Sequence, residues 1–543
     1  MGYLLAAEAD KIQDLIFRSS RLREVVGASQ LLTRFCREGV EPLLEKYGGE
    51  AISKDGGSFR IVFEDAHHLA PAKQRAIEFG ADLAELYRLV MNGTLSVAEP
   101  VPFKDDFQTA NQKAGKALRR AKSHWLGAVA EVHTPYVAFC ASCGVGLAER
   151  YGHLANEARE RRGRYLCPSC QVKAQERDDK RRDLLKEFLE IVLSNKKEVN
   201  KFDWPQDADS VAVYDSRNYV AYLVADGNGM GAVFGECDKD QLWYFSEELT
   251  AALRRSLAEP TGLLMKWAKN KDEWQVPVLP LILGGDDLFA LIPAPYALDF
   301  ARRFCLAYED KLRELVKETE LEVPSPTIGA AVVICKSNYP YALAHRRGEA
   351  LLKEAKRLSK LLTAKSGERF STVNFEVILG NSLAGLEAED NTRPVRQSLR
   401  PYWVVKDKDA LSDEAKEYGI NLYDLIEQRF QMKDVPNKRL AELRQHFETL
   451  PNDINFGNSN QRLEKWSKKV EPLLRRSGKA VAEQIRAGLK ALGRPCEPDG
   501  YQHHWRELRR NNKILSAHGM LDLLEAWDFA QDLCKSWPDD YMP

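Results

Sequence analysis

Three short segments recur in the same order in the two halves of this 543-residue chain, and that repetition narrows the folds open to it. Tyr3-Leu4-Leu5-Ala6-Ala7-Glu8 echoes Tyr222-Leu223-Val224-Ala225-Asp226, and Gly56-Gly57-Ser58-Phe59 echoes Gly284-Gly285-Asp286-Asp287. The helical stretch ending Ala121-Lys122 echoes the one ending Ala355-Lys356. Spacing agrees as well: Glu8 to Gly56 is 48 residues and Asp226 to Gly284 is 58, while Gly57 to Lys122 is 65 and Gly285 to Lys356 is 71. The repeated unit reads as an apolar strand ending in an acid, a tight Gly-Gly hairpin and a later helix. One copy is worn, because Ser58 and Phe59 stand where the other has Asp286 and Asp287.

The intact hairpin carries most of the chemistry. Residues 279–292 form two short apolar runs around Gly284-Gly285-Asp286-Asp287, each of strand length. Two glycines supply the positive φ that a hairpin turn requires. Adjacent carboxylates at such a tip repel one another and lose water, and a divalent cation with oxygen ligands relieves both costs. An exposed Gly-Asp turn without a metal is the plainer alternative. Upstream, residues 218–226 read as a strand ending in Asp226, followed by Gly227, Asn228, Gly229 and Gly231 at the opening of a helix. Asp226, Asp286 and Asp287 together can hold two Mg²⁺ ions for in-line displacement at phosphorus. The glycines leave backbone N–H groups free to meet phosphate oxygens; a simple strand-turn-helix junction would use them too. Residues 341–365 read as one helix with Leu351, Ala355, Leu358 and Leu362 on its buried face. Lys353, Lys356 and Lys360 lie along another face, as a solvated stripe or, at Lys356, as a cation for a triphosphate.

Four of the ten cysteines form Cys140-x-x-Cys143 and Cys167-x-x-Cys170. Paired knuckles at this spacing read as a structural Cys₄ zinc site with all four positions filled by protein. The remaining six are expected as small buried residues, and His133 and His153 as surface or structural groups. With 79 basic and 80 acidic residues the net charge is −1, which excludes a chain coated in basic charge. No apolar run spans a bilayer and the N-terminus lacks a basic leader region, so a cytoplasmic location with reduced thiols is expected.

The expected divisions are residues 1–130 for the worn copy, 131–205 for the cysteine cluster and a charged helical spacer, 206–380 for the intact copy, and 381–543 for a helical C-terminal domain. Residues 173–183 alternate in charge and read as a solvated helix. Strands are expected at residues 327–334 and 373–379. Residues 461–492 are amphipathic and basic, either a docking face for protein or RNA or an ordinary surface helix pair. The segment His503-His504-Trp505 has no assigned role.

The strand-Asp226, GGDD and Ala355-Lys356 order resembles the palm domain of polymerases and nucleotide cyclases. Residues 8–32, EADKIQDLIFRSSRLREVVGASQLL, look like the opening of the first palm in the large polymerase-cyclase subunit of type III CRISPR effector complexes. The resemblance implies an α+β multidomain chain: two ferredoxin-like palms (βαββαβ), a Cys₄ zinc module between them and an all-α C-terminal domain. It implies a target-RNA-activated nucleotidyltransferase that makes cyclic oligoadenylate from ATP, alongside other complex subunits, guide RNA and target RNA, and with no membrane partner. On that resemblance Asp226 and Asp287 are the main ligands of Mg²⁺ or Mn²⁺, with the Gly227 carbonyl assisting and Asp286 in support. Gly227, Asn228, Gly231, Gly284, Gly285 and Lys356 would line the nucleotide, Lys356 neutralising its triphosphate. Two departures stand out. The chain has no His-Asp dipeptide, so the DNase of many relatives is not expected, and Asn228 replaces an acid many relatives carry. An idle structural subunit and a free-standing cyclase acting on GTP are the competing readings.

Overall fold

A computed structural model describes residues 2–18, 22–65, 70–123, 138–152, 163–178, 184–193, 199–270, 275–379, 398–407, 411–448, 470–493, 506–510 and 513–535. The first unit contains β1 (Gly2–Ala9), β2 (Glu50–Asp55), β3 (Ser58–Glu64), β4 (Leu95–Val97) and β5 (Val101–Phe103). Its strand order is β2-β3-β1-β4, with β5 also on β1. A two-stranded β6–β7 (Arg150–Gly152, Arg164–Leu166) accompanies the cysteines. The second unit has β8 (Tyr219–Asn228), β9 (Leu279–Gly284), β10 (Asp287–Pro293), β11 (Thr327–Lys336), β12 (Ser371–Val377) and β13 (Tyr402–Val404), in the order β13-β12-β11-β8-β10-β9. Both sheets thus share one topology, in which a central first strand lies between the hairpin and the fourth strand.

Register confirms the repeat and shifts it by one residue. Glu8 pairs with Ser58, and Leu288 pairs with Ala225, which sets Asp226 opposite Asp287. Ser58 therefore corresponds to Asp287, and Gly57 to Asp286, one place earlier than the sequence echo aligns them. A β-bulge falls at the same place in each hairpin, leaving Ile52 unpaired in one and Leu281 in the other. Pro280, which has no N–H to donate, sits beside that bulge on the edge strand.

Burial follows from the pleat. β8 and β11 are central, and their apolar runs are buried on both faces. In β1, Leu5 and Ala7 face one core with Ile61, Phe63 and Phe79, whereas Leu4 and Ala6 turn the other way and join a core continuous with the second unit. The helix Tyr341–Ser366 covers the second sheet, with Leu351, Ala355, Leu358 and Leu362 buried as expected.

The C-terminal region is helical and also holds a hairpin, β14 (Arg506–Arg510) with β15 (Lys513–Ala517), so it is not purely α. It is fastened by buried Asp522, which accepts from Ser398 Oγ (2.6 Å), Leu399 N (2.8 Å) and Tyr402 Oη (2.7 Å). Lys173 departs from the expected solvated run: it is buried and its Nζ donates to the Leu15 carbonyl (3.0 Å). His133, His153, Cys496, residues 461–469 and His503-His504-Trp505 lie outside the described residues. Among the described residues no helix is long and apolar enough to cross a membrane.

Candidate functional site

Asp226 lies two residues inside the end of β8, Asp287 opens β10 and Asp286 sits in the turn between β9 and β10. Their carboxylate oxygens lie within 4.8 Å of one another. Loss of water around the turn pushes Asp286 up to about 7, with the Asp226 charge adding to it; the same desolvation and the Asp286 charge raise Asp287, although its surface stays open to solvent. Three clustered carboxylates, two of them reluctant to ionise, form the donor set a hard divalent cation suits. Of the two turn glycines only Gly285 has a positive φ, at +60°; Gly284 does not need it.

Neighbouring glycines are required by close approach. A Cβ at Gly227 would stand 2.8 Å from Asp286 Oδ2 and 2.5 Å from Met230 Cγ. Gly329, paired with Asp226 in β11, would place a Cβ 2.9 Å from Lys356 Cγ. Gly229, at φ +83°, caps the short helix Met230–Glu236, while Gly231 lies inside that helix facing open space.

Lys356 Nζ pairs with Asp226 Oδ2 and donates to the Gly227 carbonyl (3.0 Å), so here it neutralises the acid rather than reaching outward. Lys353 and Lys360 are exposed. Asn228 Nδ2 donates to Thr327 Oγ1 (3.2 Å), and among the described residues nothing donates to its buried Oδ1. The worn copy keeps the same pair in kind: Lys122 Nζ lies 2.6 Å from Glu8. Its turn abuts the intact one, since a Cβ on Gly56 would be 3.9 Å from the Gly285 nitrogen.

Several residues near this site carry no sequence signal of their own. Arg369 Nη1 would lie 3.5 Å from a Cβ at Gly229. Glu349 sits one helical turn from His345, whose ring stacks on Phe17 (4.2 Å) and meets Phe289 edge-on (4.7 Å). Charge from Glu349 also raises Asp287. Gly329 could be found only by pairing the predicted strands correctly.

The four cysteine sulfurs also lie within 4.8 Å of one another. Cys143 and Cys167 Sγ are 3.9 Å apart, close to the roughly 3.8 Å that tetrahedral Zn–S bonds of about 2.3 Å impose. Backbone N–H groups of Ser142 (3.4 Å) and Gly146 (3.3 Å) donate to the sulfurs of Cys140 and Cys143, as they do around metal-bound thiolates. The donor set fits zinc. The cluster is docked on the first unit by Ser142 Oγ donating to buried Glu24, and by Lys173.

Fold and acidic cluster together have the outline of a palm domain. Residues 219–361 match the sequence family described as Cas10/Cmr2, second palm domain. No curated protein matches this chain. Among solved structures, the chain is similar to a Csm1-Csm4 cassette in complex with cA4, at 13% identity and TM-score 0.52, over 98% of this chain and 70% of that one. Csm1 in T.onnurineus gives 14% identity and TM-score 0.48 over 89% and 65% of the two chains. A type III-B Cmr-beta structure in the apo state gives 11% and 0.42 over 97% and 81%. The first of these likenesses extends the shared fold across nearly all of the chain.

Proposed function

We propose that this chain is the polymerase-cyclase subunit of a type III CRISPR effector complex, converting ATP to cyclic oligoadenylate when target RNA pairs with the guide. The observation that carries this reading is the convergence of Asp226, Asp286 and Asp287 within 4.8 Å at a hairpin tip that abuts the worn hairpin. Asp226, Asp286 and Asp287 would hold Mg²⁺ or Mn²⁺, which when bound supplies charge stabilisation at the attacking and leaving oxygens. Lys356 pairs with Asp226 here; with a cation held by the acids, its ammonium would be available to a triphosphate. Two facing units orient two nucleotides, turning a bimolecular step into a near-unimolecular one. The Csm1-Csm4 cassette whose fold this chain shares was solved in complex with cA4.

The test is to supply the complex assembled around this chain with ATP, Mg²⁺ and matching target RNA and to analyse products by mass spectrometry. Cyclic oligoadenylate is expected, and Asp286→Ala with Asp287→Ala should abolish it while assembly persists. A wild-type complex that cuts or binds target RNA yet forms no oligoadenylate would support an idle structural palm instead.

A further inference from the structure

The two hairpin turns share one carboxylate. In the worn hairpin, Asp55 Oδ1 accepts from the Gly56 N–H (2.9 Å), a side-chain cap on its own turn. Its other oxygen, Oδ2, accepts from the Thr250 hydroxyl. Thr250 Oγ1 in turn accepts from the Gly285 N–H (3.0 Å) in the armed turn. By register Asp55 faces Ser58 as Gly284 faces Asp287, so Gly56 and Gly285 are equivalent first residues of the two turns. The equivalent N–H of each turn therefore ends on Asp55, one directly and one through Thr250.

Thr250 is suited to this relay. It lies on the helix Lys239–Asn270 and is buried. Two other hydroxyls on that helix, Ser256 and Thr261, bond back to the carbonyls of Ala252 (2.7 Å) and Leu257 (2.7 Å), the usual choice for a helical hydroxyl. Thr250 instead spends its donor and its acceptor across the boundary between the units. The armed turn has a reason to borrow its cap. A carboxylate at position 284 would add a fourth negative charge beside Asp226, Asp286 and Asp287; glycine there avoids it and leaves the Gly285 N–H without a local acceptor.

We propose that Asp55 and Thr250 are positioning residues of the armed site: the worn hairpin fixes the turn that presents Asp286 and Asp287. The functional half of this statement rests on the reading of the three acids as a metal site. The test uses the full chain, hydrogen–deuterium exchange of peptides spanning residues 52–59 and 281–289, and Mn²⁺ binding by electron paramagnetic resonance. Thr250→Val should speed exchange in 281–289 only, by about fivefold for the lost Gly285 bond; Asp55→Ala should do the same in 52–59, where the Gly56 bond is lost, and speed 281–289 to a smaller extent, because Thr250 keeps Gly285 but loses its own anchor. Mn²⁺ affinity should fall correspondingly in both variants and return with Thr250→Ser. Unchanged exchange in 281–289 for a folded Thr250→Val would overturn the clamp; should that variant not fold, Asp55→Ala at the half-exposed turn decides. Faster exchange with unchanged Mn²⁺ affinity would overturn the positioning role. If wild-type protein binds no Mn²⁺, the metal reading fails, and exchange at the two turns still decides the clamp.

Discussion

Asp226, Asp286 and Asp287 repel, and the folded chain holds a proton that the unfolded chain would release. Asp286 sits at about 7 against an ordinary 3.8, so stability from its protonated form is present below pH 3.8 and is lost as pH rises through about 7. Melting temperature without metal should fall across that window, and Mg²⁺ or Asp286→Asn should flatten the decline. Gly329 offers a second check at this scale. Its missing Cβ makes room for Lys356 Cγ, so Gly329→Ala must displace the lysine from Asp226. A loss of about 1–3 kcal/mol is expected from denaturant unfolding, with reduced oligoadenylate formation. The acids and Lys356 are legible in sequence because each stands in a motif. Gly329 and Thr250 are not, because their roles arise only once strands far apart in sequence pair.

Among elements, strands and the long helix follow closely from local pattern. Residues 279–292 form the hairpin, residues 327–334 lie within β11 and residues 341–365 within one helix, as apolar period and turn glycines dictate. The repeat is visible but misaligned by one residue, since sequence favours laying glycine pair on glycine pair, whereas hydrogen-bonded pairing sets Gly56 on Gly285 and Gly57 on Asp286. Lys173 shows the other limit: a charged run gives no hint that one lysine is buried against the Leu15 carbonyl. The Ser142–Glu24 bond joins the cysteine module to the helix Leu22–Arg34, and the Lys173 contact joins it to the short helix Ile12–Ile16. Replacing Cys167 and Cys170 with serine, or stripping metal with a chelator, should lower the melting temperature and speed amide exchange in residues 22–34. An unchanged melting curve with zinc absent by elemental analysis would count against a structural metal.

At the scale of the whole molecule the two units share a core, and His345 marks their seam. Its ring lies against Phe17 from the first unit and Phe289 from the second, and burial lowers it to about 4 from an ordinary 6.5. A histidine held neutral contributes stability above pH 6.5 that is lost as pH falls through about 4. This slope opposes that of Asp286, so it should emerge once Mg²⁺ saturates the acids, with melting temperature then falling on acidification. His345→Phe should remove that acid-side fall; a persistent fall would assign it to other groups.

One carboxylate serving two turns has a consequence for how such a chain can change. The worn unit has shed its own acids, yet Asp55, the two-residue length of its loop and the packing of Gly56 on Gly285 are not free to drift. An insertion in that loop would be felt across the boundary, in the geometry of a turn more than two hundred residues later. The armed unit is consequently not portable: excised at residue 206 it would leave behind the anchor for its own metal-facing loop and expose the core face that Leu4, Ala6 and Val62 now cover.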